Sequence, residues 1–247
     1  MNPVGATQPA PVRRSEADEG KRISPLQIAE AIRTRILKGS LPAGSHLLEA
    51  SFAAEFGTSR TPVRTALALL ARESLVTFAP NRGYEVRRFT LEQTMQAYDI
   101  RGTLEGMAVR MVAEKGISPE GARQMKACLD VVDSILARGQ LNVTEQGSWR
   151  EMNILFHATI ERELGNQFLD EILQTMRNVP LVANAVIQWY DFDTVYRYQS
   201  DHHRIFDAIV RRQGSRAEAA MREHLYSARE FVRSMLEDRA PNVRPKA

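Results

Sequence analysis

Apolar residues recur at helical spacing in two blocks of the chain, separated by a short stretch that reads as strands. In the first block Ile28, Ile32 and Ile36 mark one face of a helix that opens at Ser24-Pro25 and stops at Gly39. Beyond the loop Leu41-Pro42-Ala43-Gly44, a second helix over about Glu49 to Phe56 turns Phe52 and Phe56 inward, and Gly57 permits a tight turn. A third helix starts at Ser59, which can N-cap, with Pro62 in the first turn, where a missing N–H leaves no intrahelical bond unmade. Its Val63, Ala66, Leu67 and Leu70 fall on one face. Leu75 to Phe78 and Gly83 to Val86 then form two strands around the turn Ala79-Pro80-Asn81-Arg82.

The second block is helical throughout. One segment, Leu91 to Glu114, carries Met95, Tyr98, Leu104, Ala108 and Met111; another opens at Ser118-Pro119 with Met125, Leu129, Val132 and Leu136 inward. A third spans about Val143 to Leu164 and closes at Gly165-Asn166. The fourth runs from Phe168 to about Trp189, with a kink expected at Pro180. The fifth spans about Asp193 to Arg212 and stops at Gly214, and a capping box, Ser215-Arg216-Ala217-Glu218, starts the sixth, which reaches about Glu237. The fold class that follows is mainly α, a winged helix-turn-helix followed by an all-α six-helix bundle. The expected boundaries are a tail over 1–20, a head over 21–89, the bundle over 90–240 and a second tail over 241–247.

Composition narrows the class without naming a function. With 43% hydrophobic and 26% charged residues the chain has ordinary globular composition, and it lacks both a membrane-length apolar run and a signal-peptide core, so a cytoplasmic location is expected. A single cysteine, Cys128, sits among Met125, Leu129 and Val132 and reads as a small core residue. The charge distribution is more telling. Residues 21 to 88 hold eleven Lys/Arg against five Glu, a net of +6 in a chain whose total is +3, so a basic head is joined to a more acidic body.

That charge gives the third helix a chemistry. Arg60, Thr61 and Arg64 lie opposite its apolar face at the N-terminal end, the end that enters the major groove in a helix-turn-helix, where Arg reaches guanine O6 and N7 with two parallel bonds. Arg33, Arg35 and Lys38 would face phosphate, and Arg82 with Gly83 at the wing tip would approach a minor groove. Taken alone, two exposed Arg suit a solvated amphipathic helix as well. In the bundle, Asn153 and His157 share a face one turn apart, while His203 with Phe206 and Val210, and His224 with Ala228 and Phe231, define further stripes. Three imidazoles from three helices can bind a divalent transition metal, or each can be an ordinary core histidine.

The runs Ile36-Leu37-Lys38-Gly39-Ser40-Leu41-Pro42-Ala43-Gly44, Gly57-Thr58-Ser59-Arg60-Thr61-Pro62-Val63-Arg64 and Asn81-Arg82-Gly83-Tyr84 resemble the head of GntR-family transcriptional regulators over about residues 22 to 88. Ser74 stands where such heads commonly have Gly, a replacement expected to matter little, and Ala50 stands where some relatives place a charged base-contacting side chain. The runs Asp99 to Glu105, Asn153 to His157, Gly165-Asn166, His203 to Ile209 and Ala220 to Leu225 resemble the FCD effector domain of the FadR branch, closest to its shorter, VanR-like subgroup.

The resemblance implies a ligand-responsive regulator, not an enzyme, that binds a pseudo-palindromic double-stranded DNA operator as a homodimer. It also implies a metal held by Asn153, His157, His203 and His224, zinc ahead of nickel or manganese, with a small organic acid effector near Arg101. His202 falls outside the motif and is expected at a boundary or facing solvent. For Arg101 a carboxylate clamp and a helix-surface pair with Glu105 stand as equal alternatives. A metalloenzyme using the three His, or a pure metal sensor, remains the alternative function, although no Glu near the His motifs forms a general-base pattern.

Overall fold

The computed structural model describes residues 23–177 and 190–239. Its head comprises α1 (Pro25–Leu37), β1 (His46–Leu47), α2 (Glu49–Glu55), α3 (Arg60–Arg72), β2 (Val76–Ala79) and β3 (Gly83–Val86). The body comprises α4 (Leu91–Lys115), α5 (Pro119–Leu136), α6 (Val143–Leu164), α7 (Gln167–Arg177), α8 (Phe192–Val210) and α9 (Gly214–Arg239).

Ser24 and Gln27 form a reciprocal capping box that starts α1, and Ile28, Ile32 and Ile36 are buried against Val63, Leu67 and Leu70 of α3. Burying several such side chains, at about 1.5–3 kcal/mol each, is what closes the head. Ser59 occupies the N-cap position of α3, but its side chain makes no capping hydrogen bond. The hairpin pairs Phe78 with Tyr84 and Ala79 with Gly83, with Asn81 (φ 64°) and Gly83 (φ 76°) supplying the left-handed turn. The strand β1 was not expected: His46 and Leu47 pair antiparallel with Glu85 and Tyr84, giving a sheet of order β1-β3-β2. Two residues are too few to display a period of two.

Thr90 and Gln93 form a second capping box immediately after the head, so α4 starts without a linker. Asn142 and Glu145 form a third at α6, which ends at Gly165 in the left-handed conformation. The expected junction before the last helix is displaced. Arg212 takes the left-handed turn (φ 59°), α9 begins at Gly214, and Ser215 lies inside the helix rather than capping it. The expected continuation of the fourth bundle helix through Pro180 to Trp189 lies outside the described residues.

Among the described residues the body has two apolar clusters. One gathers Phe156, Leu129, Ile205, Ile209, Met221 and Leu225, with Cys128 buried among them. The other gathers Trp149, Tyr98, Tyr190, Tyr198 and Val232. The longest helices, α4 and α9, lie along one another, and a methyl group on Gly106 would come within 2.8 Å of Arg222.

Ser74, the residue expected to be a neutral replacement for glycine, has φ 61°. A side chain in that region costs about 1 kcal/mol of backbone strain, which glycine avoids at the expense of a more flexible unfolded chain. Ser74→Gly is therefore expected to stabilise the head by about 0.5–1 kcal/mol, read as a higher midpoint in thermal or urea unfolding; an unchanged or lower midpoint would contradict the strain.

Candidate functional site

At the surface of the head, Arg60, Thr61 and Arg64 are exposed while Val63, Ala66, Leu67 and Leu70 on the opposite side are fully buried, so the expected two-faced helix is present. The arginines around it differ in what they hold. Arg64 donates from Nε to Glu49 Oε1 and from Nη2 to Glu49 Oε2, both at 2.8 Å, and this pairing holds the Glu49 carboxyl below its usual range. Arg35 donates to Glu55 at 2.7 Å and packs over the Phe52 ring. Arg33, expected to face phosphate, instead donates to both oxygens of Glu73 beyond the end of α3, because α1 packs directly on that helix. Arg82 and Lys38 are exposed.

In the body the histidines converge, but not the set expected. His157 on α6, His202 on α8 and His224 on α9 are buried together, with one potential ligand atom from each lying within 4.8 Å of the others. Their ring centroids are 5.5 Å (His157 to His202), 5.4 Å (His157 to His224) and 4.7 Å (His202 to His224) apart. His202, expected at a boundary, is 3% exposed and stacks on Phe156. His203, expected as a ligand, has a side chain 44% exposed and lies on the outer face, with Nε2 2.9 Å from Asp133 Oδ1. The inward stripe of α8 is Tyr198, His202, Ile205 and Ile209, one residue away from the stripe that would have carried His203 and the exposed Val210. Ile205 and Ile209 were the signal in the sequence that favoured it.

The cluster is chemically incomplete as it stands. Among the described residues, His157 Nε2, His202 Nε2 and His224 Nδ1 are buried with no hydrogen-bond partner, and His224 Nδ1 lies 3.5 Å from Asp201 Oδ2 without a well-formed bond. Native interiors rarely leave such atoms on three rings this close together. N–metal bonds of about 2.0–2.1 Å place ligand nitrogens about 3.0–3.5 Å apart, and one potential ligand atom from each ring lies within 4.8 Å of the others. Burial, aided by the neighbouring imidazoles, pushes His202 well below the usual histidine range. His224 is lowered mainly by burial, with Asp201 opposing. Both are thus held neutral, the form that ligates. Asn153 is buried one turn before His157 on α6.

A carboxylate and a guanidinium complete the shell. Glu105 on α4 places Oε2 2.9 Å from His157 Nδ1, leaving Nε2 for the cluster. Its other oxygen accepts from Arg101 Nε. Burial alone would raise the Glu105 carboxyl, but Arg101 and then His157 hold it well below the usual carboxylate range. Arg101 pairs with Glu105, and the pair is buried rather than on the helix surface. Sequence reasoning also missed the Glu beside the histidines, because 52 residues separate Glu105 from His157. That Glu is held between Arg101 and His157.

Two family models match the chain: the FCD domain over residues 96–227 and bacterial regulatory proteins, gntR family, over residues 25–86. Among curated relatives, the HTH-type transcriptional repressor RspR of Escherichia coli is 26% identical over 86% of this chain and 90% of its own length. The gluconate operon transcriptional repressor of Bacillus subtilis is 23% identical, covering 86% of this chain and 85% of its own. Among solved structures, E. coli McbR/YncC superposes with a TM-score of 0.65 at 21% identity, covering 87% of this chain and 97% of that one. A transcriptional regulator from Rhodococcus sp. RHA1 gives 0.62 at 22% identity, covering 87% and 98%. At these identities the structural likeness speaks for the fold. No described helix is long and apolar enough to cross a membrane.

The Arg101–Glu105 pair generates a test. Removing one partner of a buried pair leaves the other uncompensated, at about 3–5 kcal/mol. Arg101→Met is expected to destabilise the chain by about 3 kcal/mol or more, and adding Glu105→Gln to recover most of that loss, measured by chemical unfolding; additive losses would show that the two groups act independently.

Proposed function

The chain belongs to the GntR family of bacterial transcriptional regulators, with an FCD domain, and on that footing we propose that it is a ligand-responsive regulator whose metal-assisted site takes a carboxylate effector. In this reading its winged head binds a pseudo-palindromic operator as a homodimer in the cytoplasm. Arg60, Thr61 and Arg64 read bases, and Arg35, Arg82 and Gly83 meet phosphate or the minor groove. The body holds one divalent transition metal, with zinc ahead of nickel or manganese, through His157, His202 and His224, and Asn153 is a weak further ligand.

The observation that carries the effector half is the close trio of buried imidazoles, with three ring nitrogens that have no hydrogen-bond partner among the described residues. When bound, the cation supplies a double positive charge that three neutral imidazoles do not offset, which favours an anionic ligand in the remaining positions. Glu105 adds little opposing charge because Arg101 already balances it. Its work is to orient His157 so that Nε2 faces the other rings, the outer-sphere role that carboxylates commonly play toward ligating histidines. A carboxylate effector reaching Arg101 would compete with Glu105 for the guanidinium.

Protein purified mildly, or reconstituted with zinc, nickel or manganese, is expected to carry one metal per chain by elemental analysis. His157→Ala and His202→Ala should each lose it, whereas His203→Ala should keep it; Asn153→Asp should tighten it. No metal in the parent protein after reconstitution, or loss with His203→Ala instead of His202→Ala, would overturn the site. Titrating metal and small organic acids separately into an operator-binding assay distinguishes an acid-responsive regulator from a metal sensor, since only the latter responds to metal alone.

For the head, Arg64→Ala is expected to cost about 1–3 kcal/mol of operator affinity and to relax sequence preference. Arg82→Ala should instead weaken all duplexes similarly and flatten the dependence on salt. Operator affinity unchanged in Arg60→Ala with Arg64→Ala would remove both from base reading.

A further inference from the structure

The Arg64–Glu49 contact is placed and shaped in a way that a casual surface pair is not. Glu49 is the first residue of α2, and that helix is anchored to the head by buried Phe52 and Ala53. Arg64 rises from α3 between buried Val63 and Leu67. Both stems therefore start from fixed backbone. The guanidinium meets the carboxylate along one edge, through Nε and Nη2, each at 2.8 Å from its own oxygen. A guanidinium has five N–H groups in a rigid plane. Use of the Nε/Nη2 edge leaves the end-on Nη1/Nη2 edge with its two parallel donors, the edge that fits guanine O6 and N7. The Arg64 side chain is 67% exposed, so that edge is accessible, whereas Glu49 is the more covered partner at 23%.

We propose that Glu49 is a positioning residue that holds Arg64 for end-on reading of one guanine in each operator half-site. The inference rests on the reading of Arg64 as a base-contacting residue and adds what makes that contact selective. A free arginine loses side-chain freedom when it docks, and it docks on phosphate as readily as on a base. Held along one edge, Arg64 has lost much of that freedom beforehand. The carboxylate also repels phosphate oxygens, so the pair is favoured where a guanine supplies both acceptors. Arg60 adds a further positive charge facing Glu49. Arg35, by contrast, meets Glu55 through Nη1 alone, a contact that fixes no edge.

The test uses the full-length chain and an operator selected by it from random duplexes, with each guanine replaced in turn by 7-deazaguanine, which removes N7 and keeps base pairing. Wild type should lose about tenfold in affinity at one guanine per half-site. Arg64→Ala should show no such penalty there. Glu49→Gln and Glu49→Ala should bind non-specific duplex at least as well as wild type, while the 7-deazaguanine penalty falls to about threefold or less. Binding to non-specific duplex also reports that these variants are folded. A penalty that stays near tenfold in both Glu49 variants overturns the positioning role while leaving Arg64 a base reader. A penalty that persists in Arg64→Ala at every guanine overturns base reading by Arg64, and the inference with it.

Discussion

Three imidazoles buried in the middle of a helical bundle set the constraint on which the body depends. A buried polar nitrogen without a partner costs about 1–3 kcal/mol, and His157, His202 and His224 carry three such atoms among the described residues. The surrounding structure keeps them there. Phe156 packs against His202 and Tyr198 against His224, so the two apolar clusters of the body meet across the histidines. Glu105 fixes one ring, and Arg101 keeps Glu105 ionised. An interior arranged in this way is poorly explained by core packing, since leucine would fill the same volume without an unsatisfied atom.

The head solves a different problem. Its small core is made by α1, α2, α3 and the sheet, and its working face is charged and exposed. Several of its arginines are engaged by carboxylates, Arg33 with Glu73, Arg35 with Glu55 and Arg64 with Glu49. Exposed pairs of this kind contribute little to stability. The two-bonded contacts of Arg33 and Arg64 fix where those guanidinium planes point.

One element belongs to both parts. Capped by Thr90 directly after the hairpin, α4 carries Arg101 and Glu105 towards the histidines, about 15–22 Å along its axis from the head at 1.5 Å per residue. Glu73, Ser74 and Arg87 of the head line a cavity with Gln93, Ala97 and Ile100 of α4 and Met176 of α7. Glu105 thus stands on a helix whose first turns face the head.

The sequence by itself determined the fold class and the described helices and hairpin strands, though not β1 or the start of α9. Capping boxes at Ser24 and Thr90, the glycine after α6 and the apolar spacing within each helix are local features, written within a few residues of where they act. It also determined the face of α3 that carries Arg60, Thr61 and Arg64. Only the tertiary structure decided which of two adjacent histidines turns inward. Neighbouring positions on a helix differ by about 100°, both stripes of α8 contain apolar residues, and the choice is made by Phe156 and His224 on other helices. The left-handed backbone at Ser74, the pairing of the two-residue β1, and the Glu105–His157 and Glu49–Arg64 contacts were decided there too. The reason is common to the contacts: each joins residues that no single helix turn brings together, so their meeting is a property of how the elements pack and not of any one segment's pattern.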